Sequence, residues 1–398
     1  MQTDTHILFI EINVHEYVFV VGENSEDENF RLIYKNSTSA KGISNNQISD
    51  LNEIFEIFKK NIILIEQKLN IVFKDFILIL NNFEYSTVNI SGYKKLNGSQ
   101  LAKENITYII NSLKSEITKT ENEKTILHIF NTKYNLDKKN IQNLPLGLFG
   151  TFYSQELSFF LINSNDYKNL KNIFNKCNLK IKKIISKNFI KGVKLINDNA
   201  ELETFIKIEI NDNSTELIYF EDSALKFSQR FDFGTQLIIK DISKIIALDI
   251  ENVKKILLNS NFSKENISDD FIEKNFFYKK KFRKIKKQLI FDIAKARIHE
   301  IAELVLIKNI NLKSFIKNNL DIFLKINDLT NLKCFETSYI LAFSNENKLK
   351  VNLTENILIE EIYKSANNLV QYGWKKEAVP IVNEKKSFIA TIFDLIFN

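Results

Sequence analysis

The stretch IEIN at residues 10–13 decides the fold of this chain, because it recurs as IEIN at residues 208–211. Each copy lies in a segment where apolar and polar residues alternate, His6 to Val21 in the first half and Phe205 to Phe231 in the second. A period of two predicts β-strands, and the polar breaks between the runs predict a meander. Two related meanders in one chain indicate an internal duplication.

Helical patterns accompany both meanders. They cover Ser49–Leu69 and Ser164–Asn178 in the first half, and Thr235–Asn259 and Lys286–Lys308 in the second. A meander followed by helices, twice over, predicts a duplicated α/β body. The 398 residues exceed what one hydrophobic core usually organises, so two domains are expected.

Composition narrows the class of protein. The formal net charge of +6 is spread over 55 basic and 49 acidic side chains, and no aromatic-interleaved basic motif is present, so nucleic acid is not a predicted partner. Two cysteines, Cys177 and Cys334, form no disulfide framework. The N-terminus lacks the basic and apolar regions of a signal peptide, and no stretch of about 18 apolar residues occurs. We therefore expect a cytoplasmic protein.

Several segments, taken in their order along the chain, resemble segments of a known protein family. The paired hairpins resemble the phosphate-clamping hairpins of the actin, Hsp70 and sugar-kinase superfamily, and within it the details resemble the FtsA cell-division proteins. Ser39–Asp50 is similar to the segment before the family's first long helix, and LPLGLFG at 144–150 to the stretch that closes its inserted subdomain 1C. Further similar segments are FGT at 233–235 with KDI at 240–242, ENVK at 251–254, ARIHEI at 296–301 and NLVQYG at 368–373.

This resemblance implies an actin-like bilobed α/β fold with an FtsA-type 1C insertion and a C-terminal amphipathic helix. The implied parts are subdomain 1A at 1–75 and 160–200, an SHS2-like 1C at 76–159, 2A at 201–232 and 313–376, 2B at 233–312, a linker at 377–384 and a membrane-targeting helix at 385–398.

The predicted nucleotide cleft departs from the superfamily pattern. Its chemistry needs an aspartate at each hairpin for hydrated Mg²⁺, and glycines that let backbone N–H groups approach phosphate. The residues that match the cleft are Glu11, Asn13, Glu209, Asn211, Ser214, Thr215, Glu216, Gly234, Glu251, Lys254 and Lys325. Asparagine tolerates a positive φ, so the turns are expected to keep their shape while phosphate binding is lost. The pattern predicts no ATP hydrolysis; no cofactor is certain, and ATP with Mg²⁺ stays an open alternative.

A partner site is implied in subdomain 2B. By the resemblance, Arg297 and Glu300, one helical turn apart, bind the acidic and apolar C-terminal tail of FtsZ. The alternative is that these two side chains simply pair with each other. A basic run at Lys279–Lys287 lies in the same subdomain, where charge would steer the tail and apolar contacts would hold it.

The end of the chain predicts a short amphipathic helix. Its predicted membrane-binding residues are Lys385, Lys386, Phe388, Ile389, Ile392, Phe393 and Ile396. Such a helix is too short to span a bilayer but can lie in its interface. The alternative is a final helix docked on the protein's own core, and the resemblance favours the membrane.

The predicted function is a non-enzymatic scaffold that anchors the FtsZ ring to the cytoplasmic membrane and helps to assemble the divisome. The partners implied are the FtsZ tail, further copies of this chain, membrane lipid and other divisome proteins through 1C. The implied location is peripheral, on the cytoplasmic face of the inner membrane at the division site. The alternatives are an adaptor of the pilus-assembly type and an ATP-binding enzyme or polymerising ATPase of the actin fold.

Overall fold

The computed structural model describes residues 6–13, 15–24, 30–44, 47–81, 83, 85–259, 270–277, 281–316, 319–327, 335–344 and 348–378. The predicted terminal helix at 385–398 and most of the predicted linker lie outside these residues. Among the helices that the structure describes, none is long and apolar enough to cross a bilayer.

Each predicted meander is a run of strands followed by helices. The strands are β1 His6–Ile12, β2 Glu16–Asn24, β3 Phe30–Ser39, β4 Ile43–Ser44, β5 Gln47–Ile48, β6 Asp75–Leu80, β7 Ser86–Lys95, β8 Lys124–Leu136, β9 Lys139–Ile141, β10 Phe152–Asn163, β11 Lys180–Ser186, β12 Phe205–Ile210, β13 Thr215–Glu221, β14 Ala224–Phe231, β15 Asp321–Ile326 and β16 Lys350–Leu353. The α-helices are α1 Leu51–Leu69, α2 Lys103–Thr120, α3 Ser164–Lys176, α4 Lys187–Asp198, α5 Gln236–Ile246, α6 Ile250–Asn259, α7 Lys287–Ala302, α8 Glu336–Phe343 and α9 Ile359–Gln371. Strands β1 to β5 precede α1, and β12 to β14 precede α5 and α6.

One helical prediction was wrong in its extent. The segment Thr235–Asn259 contains two helices, α5 and α6, rather than one. Ala247, directly after α5, takes a left-handed φ of 47°, and its N–H bonds the carbonyl of Ser243. A left-handed residue cannot continue an α-helix, so the chain turns before α6 begins.

The chain forms two units. The first unit comprises the described residues within Ile7–Val21, Tyr34–Ile185 and Asn368–Asn398, and the second comprises those within Met1–His6, Gly22–Ile33 and Ser186–Asn367. The subdomain boundaries implied by the resemblance stay a prediction.

Most of a five-stranded sheet with the order β11-β6-β1-β2-β3 belongs to the first unit, and its strands β1 and β6 are parallel. Phe76 to Leu80 of β6 are buried without alternation, as expected for a parallel strand covered on both faces. Asp50 caps the N-terminus of helix α1, because its carboxylate accepts the N–H groups of Asn52 and Glu53. Its buried Phe58 stacks on Phe174 of α3, so the two helices pack together through aromatic rings.

A second, antiparallel sheet in the first unit has the order β7-β10-β8-β9 and carries α2. Ile109 and Ile117 of α2 are buried toward it, with Leu157 and Phe159 of β10 in the core. The loop between β9 and β10 contains the predicted breaker at 144–147, and Phe149 in this loop is 69% exposed. This sheet therefore has its own small core and an apolar loop at its surface.

The last described residues extend this antiparallel sheet. Asn131 N–H donates to the carbonyl of Lys376 at 2.8 Å, and Ala378 N–H donates to the carbonyl of Ile129 at 2.8 Å. Between these bonds the side chain of Glu377 is buried, with Oε1 2.8 Å from His128 Nδ1 and Oε2 3.1 Å from Lys183 Nζ. The segment 376–378 is thus fixed by backbone pairing and by a buried charge cluster.

The electrostatics of this cluster favour ionised Glu377. Burial alone raises the pKa of Glu377, but the hydrogen bond with His128 and the charges of His128 and Lys183 outweigh it and lower the pKa to about 2. A carboxylate with a lowered pKa stabilises the fold above its ordinary pKa of 4.5 and loses that contribution as the pH falls toward 2.

The sheet of the second unit has the order β14-β13-β12-β15-β16, with β15 parallel to both β12 and β16. Helices α5, α7 and α8 share its main core, which contains Ile238, Ile242 and Ile298. Helix α4 approaches β13 closely at Gly192, where a Cβ would lie 2.2 Å from Phe220 Cε2. This close approach brings the buried side chain of Lys191 toward the sheet.

We expect Glu377→Gln to lower the free energy of unfolding by about 3 kcal/mol at neutral pH, because it removes one partner of a buried charge cluster. Chemical denaturation followed by fluorescence measures this loss. The loss should shrink as the pH falls from 4.5 toward 2, where the wild-type carboxylate protonates. The matched control is Glu121→Gln, which removes a partly exposed ion pair with Lys124 in the same unit and should cost below about 1 kcal/mol. Equal losses for both variants would contradict the stabilising role of the cluster.

Candidate functional site

The polar turn between β12 and β13 is closed by its own hydrogen bonds. Asn211 N–H donates to the carbonyl of Ser214 at 2.8 Å, and Asn327 Nδ2, after β15, donates to Asn211 Oδ1 at 2.9 Å. The turn carbonyls in turn accept the N–H groups at the start of α5: Thr235 N–H bonds the carbonyl of Asn211 at 3.0 Å, and Gln236 N–H that of Asp212 at 2.9 Å. These donors of the helix N-terminus therefore serve the turn.

Gly234 is the one residue of the predicted cleft whose lack of a side chain this turn requires. A Cβ at Gly234 would lie 1.9 Å from the carbonyl oxygen of Asn211 and 2.9 Å from that of Asp212. Thr215, also predicted here, donates from Oγ1 to the carbonyl of Phe233 at 2.8 Å. The structure thus brings Asn211, Ser214, Thr215 and Gly234 together.

The asparagines of this turn do not use the left-handed conformation that the sequence suggested. All four residues from Asn211 to Ser214 are described, and none of them has a positive φ. The turn keeps its shape with right-handed or extended residues, so the loss of glycine here has no cost in backbone strain.

A row of charged side chains crosses four strands of the second unit. Arg230 of β14 lies opposite Glu216 of β13, Glu216 opposite Glu209 of β12, and Glu209 opposite Lys325 of β15. Glu209 and Glu216 are both buried. Arg230 Nη1 lies 4.0 Å from Glu216 Oε1, and Lys325 Nζ lies 3.8 Å from Glu209 Oε1. Each carboxylate in the row therefore has a cation beside it.

Two further lysines bind both oxygens of Glu209. Lys191 Nζ of α4 lies 2.5 Å from Oε2, and Lys207, two residues earlier on the same face of β12, donates to Oε1. Both lysines are buried. Burial by itself raises the pKa of Glu209, but the charges of Lys191, Lys207 and Lys325 together outweigh it and hold the pKa well below its ordinary value. Burial lowers the pKa of Lys207 to about 8, against the opposing attraction of Glu209.

The first-unit residues of the predicted cleft lie at the end of β1. Glu11 is buried, and its Oε1 accepts a hydrogen bond from Asn81 Nδ2 at 2.8 Å. Asn13 N–H donates to the carbonyl of Glu16 at 3.0 Å and closes the turn to β2. The acid of the first IEIN copy therefore has an amide partner, whereas lysines surround the acid of the second copy.

Glu251 and Lys254, the other predicted cleft residues, pair with each other at 3.1 Å across one turn of α6. The side chain of Glu251 is 76% exposed. The pair has the geometry of an ordinary helix-surface ion pair.

The predicted partner residues lie together on α7. Arg297 Nη1 lies 2.7 Å from Glu300 Oε2, and Arg297 Nε donates to Asp241 of α5. The alternative in which Arg297 and Glu300 pair with each other is therefore observed. Half of the Glu300 side chain stays exposed, and exposed apolar residues follow one turn later, Leu304 after Glu300 and Ile245 after Asp241.

The basic run is only partly described, since residues 278–280 lie outside the described residues. Arg283 Nη2 donates to the carbonyl of Ile246 at 2.5 Å, and Lys287 Nζ lies 3.0 Å from Asp270 Oδ2. These two basic residues thus have structural partners. The predicted membrane-binding residues also lie outside the described residues: Lys385, Lys386, Phe388, Ile389, Ile392, Phe393 and Ile396.

Four residues of these clusters were missed from the sequence: Lys191, Lys207, Arg230 and Asp241. Lys207 carried a signal, because a lysine two residues before Glu209 in an otherwise apolar strand predicts an ion pair on one face. Lys191 carried none, since nothing local indicates which strand a helical lysine will reach.

Comparisons with known proteins give one consistent group of sequence relatives. No family model matches the chain. It is 22% identical over 413 residues to the cell division protein FtsA of Buchnera aphidicola subsp. Acyrthosiphon pisum, covering 98% of this chain and 96% of that protein. It is 22% identical to FtsA of Buchnera aphidicola subsp. Schizaphis graminum (75% and 72% covered) and 17% identical to FtsA of Neisseria meningitidis (77% and 74%). The resemblance to the FtsA family is confirmed.

The fold is also shared with a solved structure. The PilM-PilN type IV pilus biogenesis complex contains a chain that matches with a TM-score of 0.55 at 10% identity, covering 92% of this chain and 98% of that one. At this identity the likeness concerns the fold alone. The predicted actin-like fold is confirmed.

We expect Gly234→Ala to lower the free energy of unfolding by about 3 kcal/mol, because the new Cβ overlaps backbone oxygen that cannot move without breaking the turn. Its matched control is Ala247→Gly in the same unit, which should gain about 1 kcal/mol because glycine adopts the left-handed φ of this position more easily. Urea titration of the two variants measures the expected loss and the expected gain in the free energy of unfolding. A Gly234→Ala protein as stable as the wild type would contradict the described packing of α5 on the turn.

Proposed function

We propose that this relative of the FtsA proteins is a cell-division scaffold that anchors the FtsZ ring to the cytoplasmic membrane and helps to assemble the divisome. The observation that carries the proposal is the match to FtsA over 98% of this chain and 96% of the relative. The alignment therefore extends over nearly the full length of both chains.

The surface around Arg297 supports binding of an acidic and apolar peptide. Arg297 stands between Asp241 and Glu300, and the side chain of Arg297 remains 25% exposed. An incoming carboxylate can share this guanidinium, since its planar fork donates up to five hydrogen bonds. Exposed Ile245 and Leu304 offer apolar contacts beside it. We assign the FtsZ tail to this surface.

The predicted terminal helix supplies the membrane contact in this proposal. Its apolar residues would lie in the acyl boundary, with Lys385 and Lys386 among the headgroups. The paired segment at 376–378 supports it, because backbone bonds and buried Glu377 give the tail a fixed point of attachment on the first unit. The protein would then be peripheral, on the cytoplasmic face at the division site.

The peptide contact at Arg297 and the membrane contact of the terminal helix are each weak, so many copies must act together to hold a ring. We assign subdomain 1C to the β7-β10-β8-β9 sheet with α2, and we infer that it contacts other divisome proteins and further copies of this chain. The exposed loop with Leu146, Leu148 and Phe149 supports this role. Self-association would convert single weak contacts into avidity.

Adhesion rather than turnover is the mechanism we propose. At the second-unit turn the N–H groups of Asn211, Thr235 and Gln236 bond turn carbonyls, and the nearby acid Glu209 is paired with lysines. These features support a scaffold over an ATP-dependent enzyme or a polymerising ATPase. An adaptor of the pilus-assembly type is the second candidate, and the PilM-PilN likeness favours it through fold only, at 10% identity.

We expect Arg297→Ala to weaken binding of a fluorescent peptide with the sequence of the FtsZ C-terminal tail on the order of tenfold, because a charge-assisted hydrogen bond is lost. Fluorescence anisotropy measures the affinity. Lys295→Ala, which removes the same charge from an exposed position of α7, is the matched control and should bind like the wild type. Equal weakening in both variants, with unchanged melting curves, would show that only general charge matters.

We expect the full-length chain to sediment with liposomes and a truncation that ends at Glu384 to stay in the supernatant. A full-length Ile392→Asp variant should also stay soluble, because a charge on the apolar face opposes insertion. Adding the tail peptide tests the adaptor role, since it should sediment only with the full-length chain. If the wild type itself stays in the supernatant, the terminal helix docks on the protein core and the anchoring function is wrong.

A further inference from the structure

Glu209, the next-to-last residue of β12, matches the position at which the resemblance to the superfamily implies an acid for hydrated Mg²⁺. In this chain both oxygens of Glu209 are engaged within the second unit: Oε2 by Lys191 at 2.5 Å and Oε1 by Lys207. Lys325 Nζ adds a third positive charge at 3.8 Å from Oε1. The carboxylate is only 4% exposed.

A divalent cation cannot join this arrangement without displacing an ammonium group. Mg²⁺ demands octahedral oxygen ligands and keeps several waters, so it needs room and acceptor atoms around the carboxylate. The described surroundings supply cations instead. Lys191, Lys207 and Lys325 lie beside the carboxylate of Glu209. Arg230 lies beside that of Glu216.

The same lysines cannot simply leave. Lys207 is buried on β12 itself, and Lys191 is held over the sheet by the close approach of α4 at Gly192. Moving either group would leave an ammonium and a carboxylate buried apart, which is among the most unfavourable changes in a protein interior. The described residues include no group of three or more histidine, cysteine, aspartate or glutamate side chains that could hold a metal ion elsewhere.

We propose that the ammonium groups of Lys191 and Lys207 replace the divalent cation at Glu209, so that this position is neutralised from within and binds no Mg²⁺. Any ligand that this part of the second unit receives is bound without a metal bridge to Glu209. The inference is independent of the scaffold function, because it concerns only the charge balance of one buried carboxylate.

Manganese binding to the full chain tests it directly. Electron paramagnetic resonance of free Mn²⁺, with Mn²⁺ as the probe in place of Mg²⁺, counts the ions bound by the wild type and by Glu209→Gln. The expected result is the same number of bound ions for both proteins, since Glu209 contributes no site. A wild type that binds one more Mn²⁺ than Glu209→Gln overturns the proposal.

Thermal unfolding of the wild type keeps the test decisive if Glu209→Gln does not fold. We expect the same Tm in MgCl₂ and in NaCl of equal ionic strength, because surface screening is then matched and no buried cation is bound. A rise in Tm that only MgCl₂ produces overturns the proposal. Lys207→Met gives a second view: it should lower the Tm in both salts, and a Tm restored by MgCl₂ to the wild-type value would mean that the metal and the ammonium are interchangeable.

Discussion

The ion cluster at Glu209 is the constraint on which the second unit depends. A carboxylate in a strand that is buried along its whole length must be compensated, or it would cost more free energy than several apolar contacts provide. Compensation comes from three different elements, Lys207 on β12, Lys325 on β15 and Lys191 on α4. The cluster therefore links α4, β12 and β15 through one buried carboxylate.

The two IEIN copies lie in similar buried strands, but the side chains that contact their acids differ. Both IEIN copies end a buried strand that is parallel to a later strand of its sheet, and both acids are buried. Glu11 is hydrogen bonded by the amide of Asn81, while Glu209 is surrounded by ammonium groups. The lysines around Glu209 cancel the charge of its carboxylate within the second unit.

The relation to FtsA gives these local features a context in cell division. The self-contained turn at 211–214 and the buried cluster of Glu377, His128 and Lys183 both stabilise the fold by internal pairing. The Arg297 surface differs, because its charges and its flanking apolar residues remain partly exposed.

The sequence by itself determined the two meanders and the existence of most helices, because periodicity and turn residues act over a few positions along the chain. The actin-like class followed from the resemblance of several segments to the FtsA family. The sequence pattern predicted one helix across Ala247 where the structure has two. A left-handed residue other than glycine or asparagine has no reliable local signal in the sequence. Only the tertiary structure decided the partners of Glu209, the pairing of residues 376–378 with β8, and the role of Gly234. Each of these depends on groups far apart in the sequence that meet when strands and helices pack, and the residue pattern around each group does not encode that meeting.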